Sequence, residues 1–166
     1  IKLKQVQHRR YNMKNYAAMF NRAMDVVHGL GIETGDIVNV SLNYRAKNRF
    51  GQCRRNNVSN TYSLNFNHLI FDDKADEDAV MSVLIHEILH TCKDCMTHKG
   101  EWKRLANIVN ANTKYNITRC TNYASLGIEN PKKEKKHNYV FVCEDCGQVI
   151  VRERASNFTK NYHDYR

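Results

Sequence analysis

The 166-residue chain lacks any apolar run approaching the roughly 18 residues that a membrane-spanning helix requires, and its mean hydropathy is −0.67. That argues against a transmembrane helical protein, and no membrane partner is expected. Proline occurs once and glycine seven times, and no heptad pattern is sustained, which excludes collagen-like, coiled-coil and wholly disordered classes. Acidic residues are scarce at the start, and basic residues outnumber them at both ends. Residues 1–30 hold a single acid, Asp25, and Lys132–Arg166 carry more basic than acidic side chains, whereas the middle is nearly balanced. The excess accounts for a net charge of +9. The chain opens at Ile1, so a natural start, or a leader already removed, is expected to lie outside it.

Hydrophobic residues make up 42% of the chain, enough for one core, and the length suits one domain with a small appendage. Tyr16, Phe20, Ala23, Met24, Val27 and Leu30 recur at helical steps and predict a helix over 11–30, closed by Gly31. In Asp36–Arg45, Val38, Val40, Leu42 and Tyr44 alternate with their neighbours and predict a strand with one strongly apolar face. KNRFGQCRRNN reads as a basic loop leading to a second strand, Thr61–Phe71, and the two strands are expected to pair. Arg45, Lys47, Arg49, Arg54 and Arg55 crowd this region with no acid among them, a cluster able to track a phosphate backbone or simply a solvated surface.

Five acids, Asp72, Asp73, Asp76, Glu77 and Asp78, introduce the next helix, where they complement its dipole. From Ala75 to Cys92 that helix is apolar almost all round, so it is expected to be buried. It nevertheless carries His86, Glu87 and His90, and ionisable groups there need a reason. Another helix is predicted over Lys99–Asn112, with Trp102, Leu105, Ile108 and Val109 as its stripe. Pro131 opens PKKEKK, a linker, and beyond it Tyr139–Val142 and Val149–Arg152 flank a cysteine-bearing hairpin turn.

His86-Glu87-Ile88-Leu89-His90 concentrates the chemistry. Residues four apart on a helix differ by about 40° of azimuth and about 6 Å of rise, so both imidazoles can grip one ion. Glu87 flanks the place where an activated water sits, the position of a general base. A catalytic zinc wants a third protein ligand. The metzincin extension is excluded, because Lys93 and Met96 occupy its glycine and histidine positions. His98 and Glu101 are the remaining candidates. On an unbroken helix His98 lies about 12 Å past His90, so the chain has to turn back near Cys92. The six cysteines include two C-x2-C pairs, Cys92/Cys95 and Cys143/Cys146. With histidines nearby, that spacing favours metal and a reducing compartment over disulfides. Cys92 and Cys95 read as buried thiols or a reversible disulfide, and Cys53 and Cys120 as core residues.

HEILHTCKDCMTHKGEWKRL, with FGQC upstream and a cysteine hairpin downstream, resembles the SprT-like zinc metalloproteases. The resemblance implies an α+β, zincin-like domain over 1–130, its helices packed on a small, mostly antiparallel sheet, and a partial zinc-ribbon-like hairpin over 131–166. It implies Zn2+ held by His86, His90 and His98, Glu87 as base, and a DNA-associated protease related to Spartan, which degrades proteins crosslinked to DNA. Cys143 and Cys146 are then candidate ribbon ligands. The second cysteine pair of such a ribbon is expected beyond Arg166, with Cys92/Cys95 as the alternative source. Protein substrates, DNA contact through Arg45, Lys47, Arg49, Arg54 and Arg55, and a monomeric state are expected. So is a cytoplasmic location on DNA or the nucleoid, nuclear in a eukaryote. Substrate backbone is expected to add to the edge of the Thr61–Phe71 strand. The competing reading is a nucleic-acid-binding zinc module with a structural metal, which leaves Glu87 without a purpose.

Overall fold

The computed structural model describes residues 13–130 and 139–164. The expected helix start at 11–12, the PKKEKK linker and the last two residues lie outside them. The chain divides into two compact units, residues 1–130 and 131–166. Among the described residues there are four α-helices and two small sheets, a mixed helix-and-sheet build. No helix among them is long and apolar enough to cross a membrane.

In the first unit, α1 spans Tyr16–Gly29 and starts where the Asn15 side chain accepts a hydrogen bond from the Ala18 N–H at 3.1 Å. It buries Met19, Ala23 and Val27. Three strands follow: β1, Asp36–Asn43; β2, Gly51–Asn56; and β3, Thr61–Asn67. Their order is β1-β3-β2, with β1 parallel and β2 antiparallel to β3. The sheet is therefore mixed rather than mostly antiparallel. The two expected strands do pair, and the segment read as a basic loop contributes the third.

β2 escapes a period-two reading because it is an edge strand. Its outer positions Gln52 and Arg54 line a polar groove, and its inner positions Gly51 and Cys53 carry little or no apolar bulk. β3 ends at Asn67, and His68–Phe71 form a 3-10 turn. β1 also departs from the simple alternation. A bulge between Ile37 and Asn39 leaves Val38 unpaired. Ile37, Val40 and Leu42 pack on the core, while Val38 is 59% and Tyr44 63% exposed.

α2, Glu77–Leu89, is capped by Asp76, whose side chain accepts from the Ala79 N–H at 2.8 Å. Removing such a cap costs about 1 kcal/mol. Glu77 and Asp78 in the first turn suit the helix dipole. The helix packs on α1, β2 and α3 and buries nine of its thirteen residues, among them Val80, Leu84, Ile85 and Ile88. α3, Glu101–Asn112, buries Trp102, Leu105, Ala106 and Val109 against this core.

In the second unit, β4 (Tyr139–Val142) and β5 (Val149–Arg152) pair antiparallel. Phe141 of β4 packs edge-on against Phe158 of the short α4, Asn157–Lys160, with ring centroids 5.0 Å apart.

Candidate metal centre

α2 ends at His90, which is its C-cap. The chain then doubles back through turns closed by Cys92 N–H to Leu89 O and Cys95 N–H to Cys92 O, both 3.2 Å. It re-enters a helix at Gly100, whose φ of 52° and ψ of −117° are accessible to glycine and strained for any other residue. This reversal brings His98 onto the pair from α2. The Nε2 atom of His98 lies 2.9 Å from that of His86 and 3.1 Å from that of His90. Tetrahedral bonds of about 2.0–2.1 Å from one zinc would set such nitrogens about 3.3 Å apart.

The opposite edges of two rings are anchored. His86 Nδ1 meets the Thr118 carbonyl at 2.9 Å, and His90 Nδ1 meets the Cys95 carbonyl at 2.6 Å. A carbonyl only accepts, so both Nδ1 atoms carry the proton, and in the neutral ring Nε2 presents a lone pair to the shared point. Burial favours the neutral form of all three imidazoles. Burial, reinforced by His90, pushes His86 down to about 4. Burial lowers His90, and burial with a smaller push from Arg119 lowers His98. Neutral imidazole is the ligating form.

Trp102 forms the floor. Its ring stacks on His90 at 5.5 Å and 22°, and lies 4.8 Å from His86 and 4.7 Å from His98 between centroids. It is the only tryptophan in the sequence.

Glu87 is 7% exposed and lies against β2. Burial pushes its carboxyl up to about 7, against the opposing pull of the Cys53 backbone N–H and of Arg49. The imidazoles and this carboxyl line one cleft of about 400 Å3, with Phe50, Gly51, Cys53 and Val83 on one side and Arg119, Cys120 and Thr121 on another.

Of the sequence-proposed residues, His86, His90 and His98 converge, and they are the group of three metal-capable side chains found among the described residues. Glu101 stays out of the cluster and pairs with Arg104 at 2.6 Å. Cys92 and Cys95 are buried free thiols, pushed up to about 12 and about 11, chiefly by burial, and so kept from acting as thiolates. Cys53 is half-buried and also rises to about 12. Cys120 was expected in the core but is exposed on the cleft wall, because the segment after α3 passes across the site instead of under it.

Cys143 and Cys146 lie exposed at the β4–β5 turn. There the Gly147 N–H donates to Cys143 O at 2.9 Å, and the Cys146 backbone lowers the Cys143 thiol. Arg49, Arg54 and Arg55 line a polar groove of about 470 Å3 on the outer sheet face, beside Asn39, Ser41, Gln52 and Asn65. Arg45 and Lys47 are exposed on the loop before β2. That loop is tied down by Asn67 Nδ2, which donates to Ala46 O at 2.9 Å, and by Tyr123 OH, which donates to Lys47 O at 3.0 Å.

Thr118 and Arg119 were not singled out from the sequence, and Gly51 figured there only within FGQC, with no role assigned. Thr118 and Gly51 act through backbone, which leaves no side-chain signal, and Arg119 reaches the cleft only through the path of an irregular segment.

The donor set fits a transition metal of zinc type: three neutral nitrogens at ligand spacing, two of them oriented by backbone carbonyls. The fold and site thus define an α+β protein with a three-histidine centre capable of holding one metal ion, next to a buried carboxyl. The SprT-like family model matches residues 13–121, and the chain belongs to the SprT-like family. Membership suggests a metalloprotease-type function. No curated protein matches the chain.

Proposed function

We propose that this chain is a zinc-dependent endopeptidase that acts on DNA-associated or DNA-crosslinked proteins. The observation that carries the reading is the convergence of the His86, His90 and His98 Nε2 atoms beside buried Glu87 in one cleft. When bound, zinc supplies a Lewis acid that activates water and polarises a carbonyl. Glu87 takes the proton of the attacking water on a carboxylate oxygen and delivers it to the leaving amine as the C–N bond breaks. Thr118 and Cys95 hold the two helix imidazoles in the ligating tautomer through their carbonyls.

The strand offered to substrate is β2 rather than Thr61–Phe71, since β3 is the central strand and β2 the edge next to the cleft. Pairing through main-chain atoms at that edge tolerates varied side chains, as a varied set of crosslinked proteins demands. Against the rival reading of a structural zinc stands the ligand count: the cluster holds three donors and no fourth among the described residues, and a closed structural site has no use for Glu87.

The test is cleavage of a DNA-binding protein with and without single- and double-stranded DNA. Activity is expected to vanish on chelation, to return with zinc, and to rise with DNA. Chelator-insensitive cleavage, or none in any condition, sinks the reading.

DNA contact is proposed through Arg45, Lys47, Arg49, Arg54 and Arg55, and Cys143 and Cys146 are proposed as part of a ribbon. Arg49 is a poor choice for testing the first, because its charge also acts on Glu87. Arg55 is a poor choice too, because it holds Asn60 Oδ1 at 2.6 Å. The Lys47 and Arg54 side chains make no hydrogen bond or ion pair with the described residues, and Tyr123 OH engages only the backbone carbonyl of Lys47. The Lys47→Glu/Arg54→Glu variant should lose on the order of tenfold in DNA affinity at 0.15 M salt, with a salt slope shallower by roughly one to two units. Cleavage of a short peptide should be unchanged. An unaltered affinity and slope in titrations would return the cluster to a solvated surface.

A further inference from the structure

Gly51 opens β2 opposite Phe66, which is fully buried. Glycine is a poor strand residue, since it packs nothing and loses the most conformational freedom on ordering. Its place here therefore calls for a reason, and backbone conformation does not supply one. Gly51 is not among the residues with positive φ. The reason is room. A Cβ built on Gly51 would stand 2.4 Å from Glu87 Cγ, 2.6 Å from its Oε1 and 2.7 Å from its Cδ, all well inside van der Waals contact. Two of those atoms belong to the carboxyl group itself, and the third is the methylene that carries it.

We propose that Gly51 is the positioning residue for Glu87: its bare Cα is the surface against which the carboxyl is set. The inference rests on the reading of Glu87 as the general base. Strand alternation sends Gln52 and Arg54 to the opposite groove, while Gly51 and Cys53 both face the cleft. The two inward positions of the strand therefore act on one side chain. Gly51 gives way to the stem and carboxyl, and the Cys53 backbone N–H favours the charged form.

The consequence is that the base touches the edge strand with nothing between them. A substrate backbone laid along β2 is thereby registered against Glu87 directly. Any side chain at position 51 forces either the strand away from α2 or the carboxyl out of its seat. α2 has little freedom to retreat, because Val83, Leu84 and Ile88 around Glu87 are themselves buried.

The experiment is Gly51→Ala in the full chain, with kcat and KM on a peptide, zinc content, and a crystal structure of the variant. The expected result is a carboxyl displaced by about 1 Å or more, and kcat lower by about a hundredfold, the scale of such a misplacement. KM should stay within about twofold and zinc should remain stoichiometric, a split that a general loss of structure would not give. Any loss of melting temperature should be relieved in the Gly51→Ala/Glu87→Ala double variant relative to Glu87→Ala, because the clashing atoms are gone. That comparison holds even if Gly51→Ala alone folds poorly.

A kcat within about threefold of the parent, an unmoved carboxyl, or zinc lost together with activity would overturn the assignment. If the parent protein cleaves nothing, the peptidase reading has failed, and the carboxyl position and the melting cycle still decide whether Gly51 sets Glu87.

Discussion

Glu87→Gln is expected to abolish peptide cleavage, lowering kcat by roughly three orders of magnitude, while the three imidazoles keep their zinc. The size follows from the role. Positioned proton transfer contributes about 10²–10⁴ in rate, and an amide of the same shape cannot accept the proton of the attacking water at neutral pH. The selectivity follows from geometry. Glu87 is absent from the converging group of metal-capable side chains, and the hydrogen bonds that orient two of those rings run from His86 to Thr118 and from His90 to Cys95. Stability should not fall. A carboxylate at 7% exposure on a buried helix is a cost to the fold, and a neutral isostere lifts part of it. Measured together, the expected signature is full zinc content, an unchanged or higher melting temperature, and no turnover. Retained turnover would show that another group takes the proton.

Much of this centre is legible in the sequence, for a physical reason. A helix that is apolar on every face has no excuse for two histidines and a glutamate, so HEILH stands out against its own surroundings. The chain reversal was legible from reach alone: His98 is too far along a straight helix to join the pair, and the turns through Cys92 and Cys95 bring it back.

What was not legible is what period-two reasoning cannot see. β2 exposes one polar face and shows the core side only Gly51 and Cys53, so its sequence looks like a loop. The bulge at Val38 shifts the alternation in β1 by one residue, so the apparent apolar face mixes exposed Val38 and Tyr44 with inward Val40 and Leu42. Taking β3 as an edge had the same root, because without β2 the sheet had two strands and every strand was an edge. Parallel pairing of β1 with β3 depends on where the intervening chain goes, and neither strand records it. The path of Thr118–Thr121 across the cleft belongs to the same class, which is why Cys120 was misplaced and Arg119 overlooked.

His90→Ala should have the largest effect on the molecule as a whole, because that ring does three jobs at once. It offers one of the three converging nitrogens able to hold a metal, it holds the Cys95 carbonyl at 2.6 Å, and it stacks on Trp102 at 22°. Truncating it removes one of three nitrogens, which should weaken zinc binding on the order of a hundred- to a thousandfold. It also leaves a void beside a buried indole and an unpartnered carbonyl in the His98 turn, together costing about 2–4 kcal/mol. For a chain of this length that is a melting temperature lower by roughly 5–15 °C even without metal.

Chelation of the parent protein separates the two parts, since it removes the metal and leaves the packing. Zinc that binds the folded state alone adds about 4 kcal/mol at a thousandfold excess over its dissociation constant, so zinc should raise the parent's melting temperature and barely move that of His90→Ala. Trp102 supplies an independent reading. It is the sole tryptophan and sits within 4.7–5.5 Å of all three rings, so its emission should change as zinc titrates into the chelated parent. The same titration of His90→Ala should be nearly flat over that range. Equal zinc-dependent shifts of emission and melting temperature in parent and variant would remove His90 from the ligand set, and with it the three-histidine centre.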